Sequence, residues 1–293
     1  MGPIQAALDR TAGTVPPQAW FAVSAVFHYL GPCFAVLLFP AVGVLGVAWL
    51  RIAAAALLFA PATRPWRRFA RAGRHERRLL VAWGACLAVM NCSFYLALAH
   101  LPVSLVAAIE FIGSIGLALY GLRTGRNLAA LALAAAGVFL LVEIRGSGDW
   151  LGLCWAGLNG ALFVLYVVLG HRVAQAGAGI ESLGSAMAIA FAIVCPIGLV
   201  EAARALAHPA LILAGIGVGI CSSVIPYICD QLAMARLPRA SFALLLTLLP
   251  ASATLIGALV LAQIPSVRDL AGIALVMGGV ALHRPAGPDK KRI

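Results

Sequence analysis

Leu128–Leu140 reads L-A-A-L-A-L-A-A-A-G-V-F-L and Leu270–Leu282 reads L-A-G-I-A-L-V-M-G-G-V-A-L, with 7 of 13 positions identical. Upstream, Ala97 opens A-L-A-H-L-P-V-S and Ala233 opens A-M-A-R-L-P-R-A-S, so two blocks recur in the same order about 140 residues apart. Each copy holds five apolar segments, over 17–39, 41–61, 79–99, 103–122 and 127–143, then 150–171, 182–204, 209–234, 240–262 and 268–283. An odd number of crossings per copy makes the second copy enter a bilayer from the opposite face. Repeats of inverted topology are a common architecture of membrane carriers.

Composition leads to the same solvent. Apolar residues make up 63% of the chain and charged residues 11%, less than half the charge of an ordinary soluble domain. At about 20 residues per crossing, 293 residues accommodate ten helices. The runs are continuously apolar rather than alternating, which favours helices over a barrel, and lipid offers backbone groups no other partners. The expected fold is an all-α integral membrane protein of ten transmembrane helices in two inverted five-helix repeats, residues 1–146 and 147–293.

Charge placement gives orientation. With the amino terminus inside, 17 of the 21 Lys and Arg residues fall on the cytoplasmic side and Arg145, Arg204 and Arg268 on the other, with Arg51 inside a span. The positive-inside rule then puts both termini in the cytoplasm, as in a bacterial-type inner membrane protein. The run Arg64–Arg78 reads as a topology signal and a lipid-headgroup contact, not as a nucleic-acid patch. The first 16 residues contain Asp9 and Arg10 and no short apolar core, so no removable signal peptide is expected. Seven cysteines lie in apolar runs without CxxC spacing and read as free thiols. No metal or cofactor is expected. Trp20, Trp150 and Trp155 fall near span ends, where indoles anchor. The glycines around Gly215 read as close helix packing.

Ionisable residues inside a span are expensive and mark a pathway or a buried pair. Arg51 is near the middle of its span and pairs with Glu110, receives a substrate carboxylate or snorkels to an interface. Glu110 precedes Gly113 and Ser114 and could take an ammonium group or a proton. Asp230 follows Pro226 by one turn, where a missing N–H should break the helix, with Ser222, Ser223, Tyr227 and Gln231 close by; a gate with Arg236 is the competing reading. Asn91 and Tyr95 share one helix face, as do Asn159 and Tyr166. His28 and Thr247 complete the candidate binding or gating set, with Ser252 and Thr254 near the latter. Ordinary interhelical hydrogen bonds explain many such groups equally well.

The residues Ser222–Gln231, Arg236-Leu237-Pro238 and Leu249-Pro250-Ala251, with Met90–Tyr95 and Ala108–Gly113, resemble the drug/metabolite transporter superfamily. Within it they are similar to the EamA-type threonine/homoserine exporters and, nearly as well, to the aromatic amino-acid exporters. Leu249, Gln263 and Asp230 depart from that pattern. The resemblance implies ten helices in two inverted repeats, a central cavity and export of small metabolites. The expected function is therefore secondary export of amino acids or similar metabolites by alternating access, with small-molecule substrate and membrane lipids as partners and protons as a candidate coupling ion. Export of a purine, nucleotide sugar or drug is the alternative. An intramembrane enzyme lacks support because neither HExxH nor GxSxG occurs; a non-transporting scaffold is the remaining rival.

Overall fold

Continuously apolar sequence has become continuous helix. The computed structural model describes residues 15–110, 112, 124–143, 149–175, 179–237, 242, 245 and 249–282, and among these there is no strand. The helices are α1 (Pro17–Val42), α2 (Val44–Thr63), α3 (Pro65–Arg71), α4 (Arg74–His100), α5 (103–110), α6 (Gly125–Glu143), α7 (Trp150–Gln175), α8 (Gly179–Leu206), α9 (Pro209–Gly219), α10 (Ile225–Arg236), α11 (Leu249–Leu261) and α12 (Val267–Leu282). A π-helical turn, Ile220–Val224, joins α9 to α10. Among the described residues six helical segments are long and apolar enough to cross a membrane, α9 through α10 counting as one. Large apolar side chains such as Leu57, Val200 and Leu259 are 70%, 78% and 75% exposed. That is costly in water and natural against lipid.

Proline and glycine punctuate the chain. Pro17, Pro65 and Pro209 each open a helix, where a missing N–H loses nothing. Gly43, at φ +93°, separates α1 from α2, and a Cβ there would collide with the Glu201 side chain. The Glu201 carboxylate accepts the Gly46 N–H at 2.9 Å, so α8 satisfies one of the orphan donors at the start of α2. The short helix α3, with Arg67, Arg68 and Arg71, was not foreseen as a separate element.

Four helix pairs dominate the packing, and all four are antiparallel. In α2 and α8, Gly46 meets Ala202, Trp49 meets Gly198 and Thr63 meets Gly184. In α6 and α12, Gly137 meets Gly272 and Val276 while Gly279 meets Ala130 and Ala134. In α4 and α7, His100 meets Gly152, Cys86 donates to the Leu162 carbonyl at 3.2 Å, and Trp83 meets Gly170. In α1 and α10 with its π turn, Gly31 meets Ser222 and Ser24 meets Asp230. Small residues permit these approaches, since between helices in lipid the gain comes from close packing and hydrogen bonds.

The seven cysteines are free: Cys33, Cys86 and Cys229 are buried and Cys154 is exposed. Trp150 is 75% exposed at the start of α7, as an interfacial anchor would be. Among the described residues no cluster of metal-ligating side chains occurs.

Candidate functional site

The site begins with a missing proton. Pro226 has no N–H to give the carbonyl of Ser222, one turn back. The backbone widens into the π turn there, and the released Ser222 carbonyl accepts Arg51 Nη2 at 2.6 Å. Arg51 Nε donates to Ser223 Oγ at 2.7 Å and Nη2 reaches the Tyr227 hydroxyl at 3.4 Å. The guanidinium carbon stands 5.2 Å from the Tyr95 ring centroid and 6.0 Å from that of Tyr227, within cation–π range. Arg51 is thus buried in hydrogen bonds and aromatic faces. Among the described residues no ion pair joins it to Glu110, so pairing of spans 2 and 4 by these two charges is not how the helices are held. The break at Pro226 supplies the acceptors instead.

Glu110, also buried, accepts Asn159 Nδ2 at 3.2 Å on Oε1 and the Tyr29 hydroxyl at 3.4 Å on Oε2. Gly160 lies directly against its backbone, which lets α7 approach α5. Arg51 and Glu110 look onto one cavity of about 10 Å³, bounded also by His28, Met90, Asn91, Phe94, Asn159, Phe163 and Tyr227. That volume is room for about one water. The His28 ring meets those of Tyr29 and Phe163 edge-on, with centroids 5.2 and 5.9 Å away. Asn91 is fixed by donating to the Leu87 carbonyl at 2.6 Å and by accepting the Tyr227 hydroxyl at 3.3 Å.

A second polar centre lies outside that wall. Asp230 accepts Ser24 Oγ at 2.6 Å and the Tyr166 hydroxyl at 3.2 Å. Arg236, its expected gating partner, donates to the Val15 carbonyl at 2.8 Å.

The sequence-derived set therefore divides. His28, Arg51, Asn91, Glu110, Asn159 and Tyr227 share the cavity; Tyr95 packs beneath Arg51; Tyr166 and Asp230 form the second centre. Gln231 is buried against Gly170 and Gly179, and its amide has no hydrogen-bond partner among the described residues. Ser114 and Thr247 lie outside the described residues. Thr254 bonds the Pro250 carbonyl at 2.8 Å within its own helix. Gln263 accepts the Val103 N–H at 3.3 Å, meeting an orphan donor where α5 begins. Ser24 and Tyr29 were missed as site residues, although Ser24 stands one helical turn before His28 on the same face. Met90, Phe94 and Phe163 were missed because apolar residues in an apolar span carry no distinguishing signal.

Charged contacts clasp the two ends of the bundle. Arg68 of α3 pairs with Glu76 of α4 at 2.8 Å and Glu181 of α8 at 3.0 Å. At the opposite ends of α4 and α7, His100 Nδ1 and Asp149 Oδ2 are 2.7 Å apart. Asp149 Oδ1 accepts the Gly152 N–H at 3.1 Å, capping α7. That backbone hydrogen bond, and then the His100 contact, hold the Asp149 carboxyl below its ordinary value.

Residues 150–283 match the EamA-like transporter family. The threonine/homoserine exporter RhtA of Salmonella typhimurium (strain LT2) is 33% identical over 252 residues, covering 84% of each chain. The exporter of the same name from Escherichia coli (strain K12) is 34% identical over 238 residues, covering 80% of this chain and 79% of that one. This chain belongs to the EamA-like transporter family. It is a membrane transporter of the drug/metabolite type and not an enzyme. A solved crystal structure shares the fold of this EamA-type chain, with a TM-score of 0.60 at 18% identity over 91% of this chain and 95% of that one.

Proposed function

We propose that this protein exports small α-amino acids across a bacterial inner membrane by alternating access around the Arg51–Glu110 cavity. The observation that carries the reading is one small cavity bounded by both a buried guanidinium and a buried carboxylate. An α-amino acid presents a carboxylate and an ammonium group a few ångströms apart. Arg51 suits the first through Nη1, the arm of its guanidinium that the bonds to Ser222, Ser223 and Tyr227 do not use. Glu110, steadied by Asn159 and Tyr29, suits the second. The relatives named threonine/homoserine exporters add independent support.

The same reading divides the chain into two inverted repeats of five crossings, 1–146 and 147–293, with both termini cytoplasmic. Several packing facts support it. Helices occupying the same place in each repeat, α2 with α8 and α6 with α12, meet antiparallel, which a two-fold axis in the membrane plane requires of elements beside it. The pairs α4–α7 and α1–α10 exchange under the same operation. Asn91 and Tyr227, each six residues before its A-x-A motif, bond one another; an axis through that bond would run through the cavity wall.

A cavity of about 10 Å³ is too small for an amino acid. Transport then needs α5 and α7, which carry Glu110 and Asn159, to part from α2 and the α9–α10 segment, which hold Arg51. The Arg68 clasp closes the cytoplasmic end and the His100–Asp149 clasp the outer end, and each opens in turn.

Flux of labelled threonine and homoserine into liposomes, alongside a purine, a nucleotide sugar and a cationic drug, tests the proposal. Threonine or homoserine should move fastest. Arg51→Lys and Glu110→Gln should each slow it at least tenfold, the equivalent of about 1.4 kcal/mol. Movement of the other classes in preference to any amino acid sinks the substrate assignment.

A further inference from the structure

Asp230 plays no part in the substrate cavity, yet it is 5% exposed and bonded across two helix interfaces. Its partner Ser24 has two acceptors in range, Asp230 Oδ1 at 2.6 Å and the Pro226 carbonyl at 3.3 Å. A serine hydroxyl has one hydrogen, so it serves one of them at a time. With Asp230 ionised, Ser24 and Tyr166 both donate to the carboxylate, and 2.6 Å is the usual length of such a charge-assisted bond. With Asp230 protonated, Oδ1–H donates to Ser24 Oγ, and Ser24 turns its hydrogen to the Pro226 carbonyl. Both protonation states thus leave the buried groups satisfied. At Glu110, neither Tyr29 nor Asn159 has a second acceptor of this kind among the described residues.

Titratable neighbours of Asp230 are Tyr166 on α7, Tyr227 and Cys229 on its own helix, and Cys86 of α4 beyond Tyr166. On α8, Glu181 is taken by Arg68 and Glu201 by the start of α2. On α2, Arg51 is committed to the π turn, and α11 contains no titratable residue. On α1, His28 stands one turn from Ser24 with its ring against Tyr29 and Phe163. Among the described residues no Lys, Arg or His forms an ion pair with Asp230.

We propose that Asp230, relayed through Ser24 to the Pro226 carbonyl, is a proton site that drives export by exchanging one inward proton for each outward amino acid. This rests on the exporter reading. The Asp230 carboxylate takes a proton from water when the site opens outward and returns it to water when it opens inward; no electrons move. Coupling follows from connectivity. The segment that carries Asp230 also holds Arg51 through Ser222, Ser223 and Tyr227, so proton-dependent grip of α1 on Pro226 alters how that segment presents Arg51.

The test uses the full chain in liposomes. Net threonine movement under an imposed pH gradient is compared with threonine–threonine exchange at uniform pH. In the unaltered protein the gradient should accelerate net movement. Asp230→Asn should abolish that acceleration while exchange falls by less than about tenfold. A gradient response preserved in Asp230→Asn, or exchange lost together with it in a monodisperse protein, overturns the proposal. Infrared spectroscopy of the lipid-reconstituted protein without substrate gives a second readout. A carboxylic-acid C=O band should titrate with pH, vanish in Asp230→Asn and persist in Glu110→Gln. Should Asp230→Asn fail to fold, Ser24→Ala serves, and an unmoved midpoint of that band counts against the relay. A titrating band in a protein that moves no amino acid defeats the exporter reading and spares the proton site; amino-acid flux without the band does the reverse.

Discussion

At the scale of one residue, Pro226 organises the site by what it lacks. Its missing N–H frees the Ser222 carbonyl, and Arg51 takes that acceptor at 2.6 Å. Pro226→Ala would restore a competing N–H. The helix should regularise, Arg51 should lose an acceptor, and threonine flux should drop several-fold while the protein remains folded. Undiminished flux in Pro226→Ala would mean that the π turn is dispensable. Arg51, Glu110 and Asp230 were legible as exceptional because charge in an apolar span is rare and costly. Their partners were not legible. Arg51 could have met Glu110 or a backbone carbonyl, and only the three-dimensional path of the broken helix selects between them. Tyr29 and Ser24 escaped notice because hydroxyls are common in apolar spans and acquire meaning only opposite a carboxylate.

At the scale of elements, close helix contact carries the stability. A Cβ at Gly137 would stand 2.5 Å from the Gly272 carbonyl and 2.9 Å from Val276 N. Gly137→Leu should therefore force α6 and α12 apart and cost about 1–3 kcal/mol, read as a lowered thermal unfolding midpoint in detergent. The cap of α7 behaves differently. Because the Gly152 bond and His100 lower the Asp149 carboxyl relative to the unfolded chain, its contribution is present above the ordinary Asp value near 3.9 and is lost as pH falls through the lower folded value. The gap in unfolding temperature between the unaltered protein and Asp149→Asn should thus close at acid pH and stay constant at neutral pH; a gap that widens on acidification contradicts this. Most element boundaries were readable because Pro, Gly and charge interrupt apolar runs. The π turn and the separate helix α3 were not, since both depend on how backbone hydrogen bonds are shared with neighbouring elements.

At the scale of the whole molecule, two clasps at opposite ends should control access to the cavity from opposite sides. In a cysteine-free background, a reporter Phe163→Cys on the cavity wall should react with an impermeant thiol reagent from outside when His100→Ala releases the outer clasp. The same reporter should react from the cytoplasmic side when Arg68→Ala releases the inner one. Labelling from one side in both variants would refute alternation. The apolar composition by itself determined that this is a helical membrane protein, and the motifs around Pro226 and Glu110 carried its resemblance to the EamA type. Composition is a sum along the chain, and solvent acts on sums. Which buried groups face one another was decided only by the tertiary structure. Helix rotation and register convert a few ångströms into a bond made or missed, and no local pattern encodes them. So Arg51 and Glu110 share a cavity without touching, Asp230 stands apart with Ser24 and Tyr166, and Gln231 lies against glycine.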